Sequence, residues 1–312
     1  MIESCISYPG SKRKCIDMIM DLIPDGIEDW REPFMGSLSV TLGFIQSEKS
    51  KDCKRFVTGD LAPEIWALWA GIQKDTNKVC EIIETWWNEK VPSYEEAVGR
   101  GNLRSEENKD FFDKYEKEGR TLWKWSQEVD CSKLTLEERA ARTWIVNRIS
   151  FSAMGDSGSI SLDNFMGFRL EHMNKIRDVS PLLQKLEIIN APFQVTMKDL
   201  NKDKSFVFLD PPYANQEKSG LYGRNGDTHH GFPHKEFAEL CKQTEAKWLI
   251  TYDDSIFVRK LFKSRKLFIV PFRIVYTMAK TPKEDSLAGE ELFIANYDIR
   301  PDSGSYDAVG NM

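Results

Sequence analysis

Apolar residues are spaced along this chain in two styles, and the first returns after the second. Over the first sixty residues short apolar runs alternate with polar turns. A turn at Pro9-Gly10-Ser11 opens a helix carrying Ile16, Ile19, Leu22 and Ile23, and a short strand ends near Arg31-Glu32-Pro33. Val40, Leu42, Phe44 and Ile45 mark a second helix, and Phe56-Val57-Thr58 a strand that ends at Gly59-Asp60. From Ala62 to about Leu186 the spacing is helical and rich in charge and tryptophan (Trp66, Trp69, Trp86, Trp87, Trp123, Trp125, Trp144). Most of these rings are expected in the core of a helical lobe. A Gly/Ser-rich stretch at residues 154–159 breaks the helices and reads as an exposed loop.

The first style resumes at Glu187. Strands are predicted at residues 187–189, 205–209, 247–252 and 267–270, with helices over 233–244 and 254–262. Residues 273–276 and 291–295 predict a closing hairpin, and the polar residues after Arg300 a loose tail. An α/β pattern interrupted by a helical block predicts a doubly wound, Rossmann-like sheet with a ligand crevice at its strand ends. Residues 1–61 with 187–300 form the sheet domain in this reading, 62–186 a helical insert facing the crevice, and 301–312 the tail.

Composition narrows the picture only a little. The 312 residues are 41% hydrophobic, which allows a sizeable core, and the net charge of −6 argues against a protein that coats nucleic acid indiscriminately. Local basic groups remain at Lys12-Arg13-Lys14, at Lys51 with Lys54 and Arg55, and at Arg259-Lys260 with Lys263, Arg265 and Lys266. Six scattered cysteines lack any Cys-x-x-Cys pair, so neither a disulfide framework nor a zinc site is expected. With no apolar signal core and no run of membrane-spanning length, a soluble cytoplasmic protein is expected.

The chemistry concentrates at one tetrapeptide. Asp210-Pro211-Pro212-Tyr213 follows the apolar run Phe206-Val207-Phe208-Leu209, and so stands at the exit of a buried strand. An acid and the Pro211 carbonyl can both accept hydrogen bonds from an exocyclic amine, and two prolines fix the backbone that aims them. Tyr213 offers a flat face to a planar base. Three other segments end or leave strands. Tyr8-Pro9-Gly10-Ser11-Lys12 is either a helix start or an anion-facing turn, and Glu32-Pro33-Phe34-Met35-Gly36-Ser37 a strand-to-helix loop with close backbone approach at Gly36. Asp60 is either a turn residue or an acceptor for ribose hydroxyls.

In this order the segments resemble those of the Dam-like (D12 class, alpha group) N6-adenine-specific DNA methyltransferases. Asn147-Arg148-Ile149-Ser150-Phe151 is similar to that family's Asn-Arg-x-x-Phe segment, Thr251-Tyr252-Asp253-Asp254-Ser255 to its post-catalytic strand end, and Glu291-Leu292-Phe293-Ile294-Ala295-Asn296 to its C-terminal strand. The resemblance implies transfer of a methyl group from S-adenosylmethionine to the N6 amine of a flipped adenine in double-stranded DNA. It implies that Tyr8, Lys12, Phe34, Gly36, Ser37 and Asp60 line the cofactor pocket. Asp210 would lie between cofactor and target amine, and Tyr213 would stack on the base. No metal is required. A cognate restriction enzyme, a monomeric or weakly dimeric state and a bacterial or phage-encoded origin are further expectations. Leu38 stands where the family usually has a second glycine, and Pro192 where many members have an acid.

Contacts to DNA are expected from Arg142, Asn147, Arg148 and Arg169 in the insert, although each arginine is equally able to form an internal salt bridge. Residues 214–231, polar and glycine-containing, read as a substrate clamp bearing Lys218, Arg224 and the pair His229-His230. Two other readings share the same motifs. One is a methyltransferase acting on RNA adenine or cytosine N4. The other is an inactive, DNA-binding relative that ignores the cofactor.

Overall fold

Strand β4 (Ser205–Leu209), buried along its whole length, lies at the centre of one seven-stranded sheet. Its neighbours are β1 (Asp29–Glu32), β2 (Arg55–Asp60) and β3 (Leu186–Asn190) on one side, and β5 (Lys247–Asp253), β7 (Ala288–Ala295) and β6 (Phe268–Val275) on the other. The order is β3-β2-β1-β4-β5-β7-β6, parallel throughout except for β7, which runs antiparallel to both β5 and β6. The chain winds outward from β1 to β3, then restarts at β4 and winds the other way. That reversal leaves a crevice between the carboxyl ends of β1 and β4, where open α/β sheets place their ligands. The computed structural model describes residues 1–151, 155–214, 231–275 and 288–300.

The alternation within β4 explains why both faces are covered. Phe206 and Phe208 point into one core, Val207 and Leu209 into the other. The second core is closed by the short helix α10 (Phe193–Thr196), by α11 (His234–Gln243) and by α12 (Ile256–Leu261). The first is closed by α1 (Ile16–Leu22) and α2 (Ser39–Ile45), and it runs without a break into the helical insert.

That insert holds α3 (Pro63–Lys74), α4 (Thr76–Lys90), α5 (Tyr94–Gly99), α6 (Lys109–Glu128), α7 (Leu136–Ile149), α8 (Leu162–Met166) and α9 (Asn174–Leu183). Trp69, Trp87 and Trp144 are fully buried there, and Trp66, Trp86, Trp123 and Trp125 pack partly buried against the same core. Helix α3 touches β2 and β3 as well as α7, so it is shared between sheet and insert.

One prediction needs correction. Residues 267–270 and 273–276 were expected to be separate strands, yet β6 runs from Phe268 to Val275 without interruption. Pro271 sits inside it because β6 is the edge of the sheet, where a missing backbone N–H leaves no ladder bond unmade. Tyr276, the tail after Arg300, and most of the expected clamp, with Lys218, Arg224, His229 and His230, lie outside the described residues. Among the described residues no helix is long and apolar enough to cross a membrane, and all six cysteines are free.

Candidate active site at the β1–β4 crevice

The carboxyl ends of β1, β2 and β4, and the segment after β3, line one cavity of about 400 Å³, with the segment around Tyr8 closing its side. All of Tyr8, Lys12, Phe34, Gly36, Ser37, Asp60 and Asp210 to Tyr213 contribute to its wall. The sequence scatters these residues over two hundred positions. The parallel sheet gathers all but Tyr8 and Lys12, because each of the others follows or ends a strand of the same direction.

The opening turn is built by its own residues. Ser11 donates its backbone N–H to the Tyr8 carbonyl at 3.0 Å, and Gly10 supplies the positive φ of 76° that the turn needs after Pro9. Lys12 folds back to donate to the Gly10 carbonyl at 2.7 Å and to Asp210 Oδ2 at 2.8 Å. Only 3% of Lys12 is exposed. Burial works against its charge, but the neighbouring Asp210 and Glu291 outweigh it, and the ammonium is held above its ordinary pKa.

Gly36 is needed for two reasons. Its φ is +37°, and a Cβ there would stand 3.1 Å from the Tyr8 ring. Its N–H donates to Asp60 Oδ2 at 3.0 Å and its carbonyl accepts from Trp69 Nε1 at 2.8 Å, which ties the β1–α2 loop to the end of β2 and to α3. Leu38 keeps the glycine-like geometry expected at its position, with φ 56° and ψ 13°, while its side chain is fully buried in the core beneath the loop. The cavity wall therefore does not include it. The hydroxyls of Ser11, Ser37 and Ser39 form a closed triangle with sides of 3.0, 2.9 and 2.8 Å, tying the opening turn to this loop.

Two further acids shape the crevice. Asp60 accepts from the backbone of Gly36 and, at 2.9 Å, of Ala62; burial nevertheless raises its carboxyl to about 6. Glu32 ends β1 and accepts from the Thr41 N–H at 3.1 Å and from the Thr41 hydroxyl. Burial pushes it up to about 8. Phe34 and Phe193 make a flat apolar wall, with ring centroids 5.7 Å apart. Pro192, also on the cavity, is the cap of α10 and brings no acid to it.

Asp210 is anchored on both oxygens. Lys12 takes Oδ2, and Thr251 on β5 donates its hydroxyl to Oδ1 at 2.8 Å. A carboxylate offers about four lone-pair sites, so roughly two remain for another donor. Tyr213 lines the cavity, packs against Tyr252 with centroids 5.9 Å apart, and has Lys12 Nζ 5.0 Å from its ring centre. Its hydroxyl donates to Glu291 Oε2 at 2.6 Å. Burial, then the charges of Asp210 and Glu291, hold the phenol well above its usual pKa.

The insert residues fare differently. Arg142 is fully buried; Nε donates to the Ser126 carbonyl, and both terminal nitrogens grip Asp156 at 2.9 and 2.5 Å. The expected DNA contact from Arg142 is therefore corrected to an internal ion pair. Asn147 is 8% exposed and bonds the Ser7 backbone in both directions, at 2.7 and 3.2 Å, immediately before the opening turn. Its place is under the crevice, holding that turn. Arg148 is half-buried with Nη2 3.2 Å from His172 Nδ1, and Arg169 donates to the Met166 and Phe168 carbonyls. Of the basic groups remote from the crevice, Lys54 pairs with Glu28, Arg55 with Glu187 and Arg259 with Asp254.

Sequence reasoning named neither Thr251 nor Glu291 as a site residue. Both stand in quoted strand segments, and the available signal was that β5 leaves the sheet beside β4. The family description of D12 class N6 adenine-specific DNA methyltransferases matches residues 8–280, most of the chain. This chain belongs to the D12 class N6 adenine-specific DNA methyltransferases. Comparison with curated proteins finds no match. As a D12 methyltransferase it transfers a methyl group to the N6 amine of adenine in DNA.

Proposed function

We propose that the methyl donor is S-adenosylmethionine, that it lies in the β1–β4 crevice, and that the target adenine enters against Asp210, Pro211 and Tyr213. The observation that carries this reading is Asp210 itself: it stands on the cavity wall, held by Lys12 and Thr251, with acceptor capacity left over. The cavity suits the donor. Its volume of about 400 Å³ lies in the range of small-molecule sites, roughly 300–1,000 Å³. Phe34 and Phe193 offer aromatic surface to a purine, and Asp60 keeps acceptor capacity for ribose hydroxyls beyond its backbone donors.

The donor supplies an electrophilic methyl on a sulfonium. The chain's contribution is to make a poor nucleophile attack it. The N6 lone pair of adenine is delocalised into the ring, and hydrogen bonds from the amine to Asp210 and to the Pro211 carbonyl favour the tetrahedral nitrogen that bonding requires. Holding the amine in line is worth up to about 7–11 kcal/mol in well-oriented systems. The base must leave the duplex to reach Asp210, which costs a few kcal/mol, and stacking on Tyr213 returns about 1–3 kcal/mol. The helical insert is the natural target-recognition lobe, because it borders the crevice through α3 and through the Asn147–Ser7 bonds.

Calorimetric titration with S-adenosylmethionine tests the reading. Wild type should bind, Asp60→Ala should bind at least about tenfold more weakly, and Tyr213→Ala should bind like wild type but turn over poorly. Equal loss of donor affinity in Tyr213→Ala would contradict the separate placement of donor and base.

A further inference from the structure

Three side chains on the β5–β7 pair hold the catalytic turn. Asp253 and Glu291 face each other directly across the antiparallel ladder, and Thr251 lies two residues before Asp253 on β5. Thr251 donates to Asp210, Asp253 Oδ1 accepts from the Ala214 N–H at 2.8 Å, and Glu291 Oε2 accepts from the Tyr213 hydroxyl at 2.6 Å. Asp253 is 6% exposed and Glu291 2%. Two acids directly opposite one another repel and destabilise a sheet unless each has its own partner. Here the Tyr213 hydroxyl and the Ala214 N–H, both in the segment that follows Pro212, donate to Glu291 and Asp253, and the Lys12 charge also acts on Glu291.

We propose that Glu291 and Asp253 are positioning residues for methyl transfer, a cross-strand carboxylate clamp that fixes the Tyr213 ring and the chain leaving it at the angle the extruded base requires. The proposal rests on the reading of Tyr213 as the base-stacking face. It also gives the phenol hydroxyl a use. A phenylalanine would stack equally well, so the O–H is there to be gripped. Glu291 sits in a strand remote in sequence from the motif it serves, and its carboxylate reaches the Tyr213 hydroxyl because β7 is inserted next to β5 rather than at the sheet edge.

Five variants and one spectroscopic probe decide it. Tyr213→Phe and Glu291→Ala should each lower kcat about tenfold, with donor affinity by calorimetry and KM for DNA unchanged. The double variant should be no slower than either single, because both remove the same hydrogen bond. Glu291→Gln should recover most of the rate, since its amide oxygen accepts the same O–H. On a duplex carrying 2-aminopurine at the target position, Glu291→Ala should give brighter emission than wild type, from a base extruded but no longer held flat on the ring. Full kcat in Tyr213→Phe, or additive losses in the double variant, would overturn the clamp. Should Glu291→Ala not fold, Tyr213→Phe carries the kinetic test alone. The two readings separate at Tyr213→Ala. Full turnover there removes the stacking role itself, whereas an inactive Tyr213→Ala beside a fully active Tyr213→Phe leaves stacking intact and overturns only the clamp.

Discussion

In the crevice Lys12 lies 2.8 Å from Asp210, and in the helical insert Arg142 lies 2.5 Å from Asp156; both cations are almost completely buried. The two pairs share their chemistry and differ in what they leave open. Asp156 takes three donors: both terminal nitrogens of one guanidinium, in a fork, and at 3.4 Å the side-chain amide of Gln127. Asp210 receives one donor on each oxygen, from Lys12 and from Thr251, and faces the cavity with lone pairs to spare. A buried ion pair is thus no sign of a functional site by itself. What distinguishes the site is a carboxylate that is held yet incompletely used.

The strongest way to break that comparison is Arg142→Ala. Removing one partner of a buried pair strands the other, and the fold should lose about 3–5 kcal/mol, measured by urea denaturation. Turnover per folded molecule and the salt dependence of DNA binding should not change; a shallower salt slope would return Arg142 to the DNA interface. Lys12→Met addresses the other pair. Turnover should fall about 10²-fold, the scale of a lost preorganised electrostatic contact. An unchanged rate would make Lys12–Asp210 as structural as Arg142–Asp156.

Smaller effects sharpen the contrast between crevice wall and core. Leu38→Gly relieves a left-handed conformation costing about 1–2 kcal/mol but deletes a buried side chain worth about 3–5 kcal/mol. The net should be a loss of roughly 1–4 kcal/mol in stability, with donor affinity within twofold of wild type. A large change in donor affinity would place Leu38 in the site after all. The smallest effect is on pH. With its carboxyl raised to about 6, Asp60 is ionised above that value and protonated below it. Donor affinity should therefore hold at pH 7–8 and fall as pH drops through about 6, and Asp60→Asn should remove the dependence. Stability runs the other way with Glu32, whose carboxyl burial raises to about 8 from its ordinary value of 4.5. Its contribution is present at low pH and declines as pH rises towards 8.

Much of the crevice was legible because strand ends give residues an address. Once Phe206 to Leu209 reads as a buried strand, Asp210 must stand at its exit, and the same logic places Glu32 and Asp60. Residues in the insert had no such address. The partner of Arg142 is an aspartate in a single 3-10 turn fourteen positions away, and nothing in helical spacing distinguishes that pairing from a phosphate contact. Asn147 read as a DNA contact because an exposed amide and one that ties down a distant backbone look alike in sequence. The pairing of Asp253 with Glu291 was hidden for another reason: antiparallel register depends on how β7 returns between β5 and β6, which the local pattern does not encode. Leu38 shows the converse. The residue departs from the family pattern, and the backbone keeps the pattern's conformation because the side chain is locked in the core.

The most direct test of the account is methyl transfer from labelled S-adenosylmethionine to unmethylated duplex DNA, with nucleosides identified by mass spectrometry and Asp210→Ala run in parallel. The account predicts N6-methyldeoxyadenosine from the wild type, and none from Asp210→Ala under conditions where calorimetry shows that this variant still binds the donor. N6-methyldeoxyadenosine formed at the wild-type rate by Asp210→Ala would contradict it.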